Sequence, residues 1–158
     1  MKKNLTASLE DYLEAIFIIS QSHKVVRVKD LVKHLKVAGA SVENALKILK
    51  EKGLINHEKY GYIELTEKGE KEAQKIYERH KVLQRFFSQI LGLDESTAQK
   101  DACAIEHYIS EEGLERLIKF LKFIEECPQG TPNWLKSLHY YFKTGKRPEE
   151  CPKRKSDD

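Results

Sequence analysis

The stretch that decides the fold is Val28-Lys29-Asp30-Leu31-Val32-Lys33-His34-Leu35, followed by Lys36-Val37-Ala38-Gly39, followed by Ala40-Ser41-Val42-Glu43-Asn44-Ala45-Leu46-Lys47-Ile48-Leu49. Val28, Leu31, Val32 and Leu35 recur at helical spacing, and so do Val42, Ala45, Leu46 and Leu49. Two short amphipathic helices joined by a four-residue turn, which we expect to centre on Gly39, make a helix-turn-helix. Beyond Gly53, the runs 54–58 and 62–65 flank Lys59-Tyr60-Gly61, a hairpin pattern that reads as a wing.

Upstream, residues 7–20 carry Leu9, Leu13, Ile16 and Phe17 at helical spacing. Ser8 is the expected cap, with Glu10 and Asp11 at the positive end of the helix dipole. Val25 to Val28 reads as one edge strand. Downstream, Thr66 caps a helix expected to run unbroken from 67 to 91, too long for the small N-terminal module alone to bury. Helices are expected over 95–109, over 111–126 behind Ser110, and from Trp134 to Phe142. The fold class is therefore mainly α: a winged helix-turn-helix over residues 1–72, a helical domain over 73–145 and a charged tail over 146–158.

The chain of 158 residues suffices for a packed core without disulfides. Hydrophobic residues make up 40% of it, and no apolar run approaches the ~18 residues of a membrane span. The N-terminal stretch leads to Glu10, Asp11 and Glu14 where a signal peptide would be apolar, so the cytoplasm is the expected compartment. Cys103, Cys127 and Cys151 are an odd number of thiols, too few for a disulfide scaffold. The net charge is +3, with the basic excess in residues 1–76, which permits a nucleic-acid surface without establishing one.

In the major groove the second helix of the pair would present Ala40, Ser41, Glu43, Asn44 and Lys47. Asn44 has the geometry to read adenine, and Ser41 reaches phosphate or a base edge. Lys33, Lys36, Lys47 and Lys59 are candidate phosphate contacts. Glu43 is unfavourable near phosphate unless it accepts from cytosine. The plainer reading is a two-helix corner with lysines on a solvated face. One module makes few phosphate contacts, so useful affinity calls for a dimer. Leu83, Phe86, Phe87, Leu114, Leu117, Ile118 and Leu121 offer the apolar surface for one.

Cys103-Ala104-Ile105-Glu106-His107 places a thiol, a carboxylate and an imidazole at i, i+3 and i+4, on one face of a helix. Asp11 and Glu14 are likewise i, i+3, and His80 lies on the long helix. Six such donors on three helices suffice for one or two divalent ions. Taken singly each has a plainer reading: a solvated helix end, a dipole-stabilising acidic pair, a core histidine, a small buried cysteine.

The combination of Glu10-Asp11-Tyr12-Leu13-Glu14, the helix-turn-helix from Leu35 to Leu49, Gly53-Leu54-Ile55, Leu65 to Gly69, Arg79-His80 and Glu106-His107 resembles the metal-dependent repressors that include the diphtheria toxin repressor and the manganese transport regulator. The resemblance runs from about residue 8 to residue 125. It implies a homodimer with a C-terminal helical dimerisation domain, binding operator DNA when a divalent metal is held by Asp11, Glu14, His80, Cys103, Glu106 and His107. Asp11 and Glu14 follow the manganese branch, and Cys103 follows the iron branch. The implied cofactor is Fe(II), then Mn(II), with Co(II) or Zn(II) as further candidates. Gln84 and Gln99 stand where the iron branch has a Glu and a second His for an ancillary site. Two other classes stay open: a winged-helix regulator with a non-metal trigger, and a metal-dependent hydrolase. Cys127 and Cys151, each in Glu-Cys-Pro, with His139 between them, are either a further metal or redox site or two unrelated thiols.

Overall fold

The computed structural model describes residues 5–58 and 61–149. The described residues form seven α-helices, one π-helical segment and a two-stranded sheet. They divide into two compact units, one ending at His80 and the other beginning at Lys81.

In the first unit, α1 (Ala7–Ser22) starts at Thr6, whose hydroxyl accepts from the Leu9 N–H at 3.4 Å. The expected cap, Ser8, lies instead inside the first turn, where its backbone is already helical. Leu9, Leu13 and Ile16 enter a core shared with α2 (Val28–Leu35) and α3 (Gly39–Glu51), through Leu31, Val42, Leu46 and Leu49. The turn between α2 and α3 is not centred on its glycine. Lys36 takes the left-handed conformation (φ 57°), and Gly39 opens α3. A helix end needs its left-handed residue directly after the last helical one, and that position is occupied by lysine.

The expected edge strand over Val25–Val28 shrinks to one bridge, Val26 to Ile63, because Arg27 caps α2 and Val28 belongs to it. Antiparallel β1 (Ile55–His57) and β2 (Ile63–Leu65) form the wing, pairing Ile55 with Leu65, Asn56 with Glu64 and His57 with Ile63.

The next helix, α4 (Glu67–Arg85), is stitched to the turn that ends α3. Thr66 Oγ1 accepts from the Gly69 N–H at 3.0 Å and donates to the Gly53 carbonyl at 2.8 Å. The Thr66 N–H donates to the Leu54 carbonyl at 3.0 Å. Here α4 passes so close that a Cβ on Gly69 would lie 1.8 Å from the Leu54 carbonyl oxygen.

The single helix expected over 67–91 is in fact α4 followed by a π-helical segment, Phe86–Ile90, with the Leu91 N–H bonded to the Phe86 carbonyl at 3.2 Å. A widening of one residue leaves apolar positions three or four apart, so the helical period does not betray it.

In the second unit, α5 (Glu95–Ile105) starts at Asp94, which accepts from the Thr97 N–H at 3.1 Å. Bonds from the Thr97 hydroxyl and backbone hold this exposed carboxyl below its usual range. The helix expected to reach 109 ends at Ile105, with Glu106 as a cap of helical conformation and a turn following. Then α6 (Glu111–Glu125) and α7 (Asn133–Thr144) place Leu121 and Leu135 in a second core with Ile90. No described helix is long and apolar enough to cross a membrane.

Because the α4 backbone touches Leu54, Gly69→Ala is expected to lower stability by about 3 kcal/mol, in the upper range for overpacking. Urea denaturation monitored by circular dichroism measures it; an unchanged midpoint would refute the close approach.

Candidate metal centre and reading helix

Three candidate donors lie in the first unit. Asp11 and Glu14 project from α1, one half-buried and the other buried, and His80 is buried on α4. A Glu14 carboxylate oxygen and a His80 ring nitrogen lie within 4.8 Å of each other. What holds α1 at that distance from α4 is a neighbouring ion pair. The Arg79 guanidinium meets the Glu10 carboxylate at 3.0 Å, with side chains only 16% and 5% exposed. Phe17 and Tyr77 add a ring contact between the same helices at 5.6 Å. From sequence alone, Glu10 has only a role at the helix dipole. The missed signal was its placement one turn before Glu14, on the same face, with Arg79 directly before His80.

The other three lie in the second unit. Cys103 is exposed on α5, and its sulfur lies within 4.8 Å of a Glu106 carboxylate oxygen. Glu106 is fully buried, and the buried His107 brings Nε2 to 3.4 Å from Glu106 Oε1. Glu106 keeps its i+3 relation to Cys103 because the cap continues the helical backbone (φ −58°, ψ −29°). His107 follows in the turn, so it is the adjacent position and not a shared helical face that brings it to Glu106.

Each unit thus pairs carboxylate with imidazole, and the second adds a thiol. Buried carboxylates beside an imidazole suit a divalent transition ion, which supplies positive charge where burial makes lone carboxylates expensive. The ancillary positions differ. Gln84 is buried and donates to Glu95 Oε1 at 2.5 Å, while Lys81 donates to Gln84 Oε1 at 3.2 Å. An amide held between an ammonium and a carboxylate is already satisfied. Cys127 is a half-buried thiol, and Cys151 lies outside the described residues. His139 Nε2 donates to the Ile90 carbonyl at 3.1 Å, which ties α7 to the π-helical segment.

On α3, burial of Val42, Ala45, Leu46 and Leu49 turns Ala40, Ser41, Asn44 and Lys47 outward, all exposed. Lys33 on α2 and Lys36 in the turn are exposed as well. Lys59 lies outside the described residues.

Two family models match this chain. The iron dependent repressor N-terminal DNA binding domain matches residues 4–63, and the iron dependent repressor metal binding and dimerisation domain matches residues 66–135. An uncharacterised HTH-type transcriptional regulator of Methanocaldococcus jannaschii is 42% identical over 119 residues, which is 75% of this chain and 95% of that protein. The HTH-type transcriptional regulator MntR of Lysinibacillus sphaericus is 32% identical over 123 residues, 78% of this chain and 88% of that one. Among solved structures, IdeR of T. acidophilum superposes with a TM-score of 0.67 at 25% identity. That match covers 82% of this chain but only 60% of the longer IdeR chain.

The buried ion pair yields a stability prediction. Arg79→Met should cost about 3 kcal/mol by leaving the Glu10 charge buried against an apolar side chain. Adding Glu10→Leu should recover most of that loss. Urea midpoints of the two variants in chelator decide it, and a double variant as unstable as the single one would rule out the pair as the clamp.

Proposed function

The chain belongs to the iron-dependent repressor family, and on that premise we propose that it is a metal-dependent transcriptional repressor that binds operator DNA as a homodimer. Asp11, Glu14, His80, Cys103, Glu106 and His107 hold the ion, Fe(II) or Mn(II). Carboxylates and imidazole take either metal, and the Cys103 thiolate tilts the set toward Fe(II). Residues 1–72 form the DNA-binding domain, 73–145 the metal-binding and dimerisation domain, and 146–158 a charged tail. The protein acts in the cytoplasm and is not an enzyme.

The observation that most supports this reading is the pairing of donors inside each unit: Glu14 with His80 in the first, Glu106 with Cys103 and His107 in the second. A cation shared by both pairs offsets the repulsion among Asp11, Glu14 and Glu106. It also draws on α1, whose apolar face is packed against the helix-turn-helix. Ordering the reading helices in this way raises DNA affinity, and by linkage DNA raises metal affinity by the same factor. The DNA contacts come from α3 through Ala40, Ser41, Asn44 and Lys47, with Lys33, Lys36 and Lys59 on phosphates.

The test is a gel shift on the DNA upstream of the protein's own gene, with Mn(II), anaerobic Fe(II), Co(II), Zn(II) and chelator in parallel. A shift is expected with metal and none with chelator. Glu106→Ala and His107→Ala should weaken the metal-dependent shift by at least tenfold, on the order of the loss seen when a metal site is disturbed. Calorimetric titration of Mn(II) with and without that DNA should give a coupling of about 1–3 kcal/mol. Equal metal affinities in the two titrations would end the proposal.

A further inference from the structure

At 100° per residue, Ala40, Asn44 and Lys47 occupy the middle of the outward face of α3, and Ser41 and Glu43 flank it on opposite sides. The Glu43 side is the one toward the wing. Glu43 Oε2 lies 3.8 Å from His57 Nε2 on β1, with the carboxylate side chain 59% exposed and the imidazole only 10%. The other ring nitrogen, Nδ1, lies 3.4 Å from the Tyr62 carbonyl. Both facing atoms are oxygens that only accept. A neutral imidazole carries one hydrogen, so in either tautomer one nitrogen lone pair is set against an oxygen. The imidazolium carries two, so Nδ1 donates to the Tyr62 carbonyl while the positive ring faces Glu43 at ion-pair distance.

The charged and titratable groups around this ring pull in opposite directions. From α3, Glu43 favours the added proton. Lys50, whose ammonium donates to the His57 carbonyl at 2.6 Å, opposes it. From the wing side, Tyr62 stacks under the Arg27 guanidinium at 5.1 Å and accepts from it at 3.4 Å, which places a second cation behind the hairpin. A polyanion laid along α3 adds negative potential on the Glu43 side and shifts the balance toward protonation. Histidine is the side chain suited to respond in the physiological range.

We propose that His57 is a positioning residue for DNA binding: as the imidazolium it pins Glu43 to the wing and cancels its charge at the edge of the reading helix, so that operator binding takes up a proton. This rests on the reading of α3 as the helix that enters the groove. The group recognised is the phosphate backbone beside α3, which a bare Glu43 carboxylate would repel. The sign follows from linkage: if the complex holds the proton more tightly than the free protein, affinity rises as pH falls.

The probe is a duplex selected from a randomised pool by the wild-type protein with Mn(II). Binding is measured by fluorescence anisotropy at saturating Mn(II), between pH 6 and 8, for wild type, H57Q, E43Q and the double variant. Titration of the metal donors is common to all four proteins and cancels in their ratios. The ratio of wild-type to H57Q affinity should rise about tenfold from pH 8 to pH 6. In the E43Q background that rise should vanish. A ratio independent of pH, or one that survives E43Q, overturns the proposal. If H57Q fails to fold, E43Q alone decides by calorimetry in buffers of different protonation enthalpy. Fewer protons taken up than by wild type supports the role, and equal uptake refutes it. Failure of the wild type to enrich any duplex would instead refute the reading of α3, and the inference with it.

Discussion

A carboxylate and a guanidinium that have both left water are held together by the cost of parting them. Glu10 and Arg79 are such a pair, 3.0 Å apart and mostly buried. Their contact sets how far α1 stands from α4, and the spacing of Glu14 from His80 follows from it. The pair is directional, because the charge-assisted bond runs from Arg79 Nη2 to Glu10 Oε2. Phe17 against Tyr77, with Ala73 and Ile76 of α4 in the core shared with α1, adds apolar packing between the same helices. The ion pair sets the register in which a carboxylate on one helix meets an imidazole on the other.

The same helix that carries two donors also floors the DNA-binding module. Leu9, Leu13 and Ile16 of α1 lie in one core with Leu31, Leu46 and Leu49. A close-packed core transmits displacement and does not absorb it. On the proposed ligand set, a cation drawing on Asp11 and Glu14 would act on α2 and α3 without touching them. This makes a coupling of 1–3 kcal/mol reasonable for one ion and one helix, on the order of ordinary allosteric coupling.

Much of this was legible in the sequence. The helix-turn-helix, the wing and the four later helices follow from apolar spacing, and the family follows from a few quoted motifs. What escaped has physical reasons. The left-handed Lys36 sits where a helix end demands that conformation, and reading the nearby glycine as the pivot put it three residues late. The π-helical segment preserves apolar spacing and so leaves no periodic trace. The donors were visible as residue types at helical intervals. The charge pairs beyond them were not, because Glu10 and Arg79 are separated by 69 residues, and Glu43 and His57 belong to different elements. Pairings of that kind depend on tertiary placement, and sequence spacing marks at most their ends, as with Arg79 beside His80 and Glu10 one turn before Glu14.

The charge on the reading surface explains why geometry has to control this protein. A net charge of +3 over 158 residues is small for a DNA-binding chain. One nearby lysine, Lys50, is spent on the His57 carbonyl and so ties α3 to the wing. Glu43 works against phosphate contact from the same helix. Each phosphate neutralised adds to affinity through released counterions, and one module offers few such contacts. A surface this sparing in cations binds poorly when its two copies are free to move, and far better once they are held at the spacing of one helical turn of DNA. Weak heads make the occupied and empty metal states differ most, so the modest charge is what leaves room for the ion to command binding.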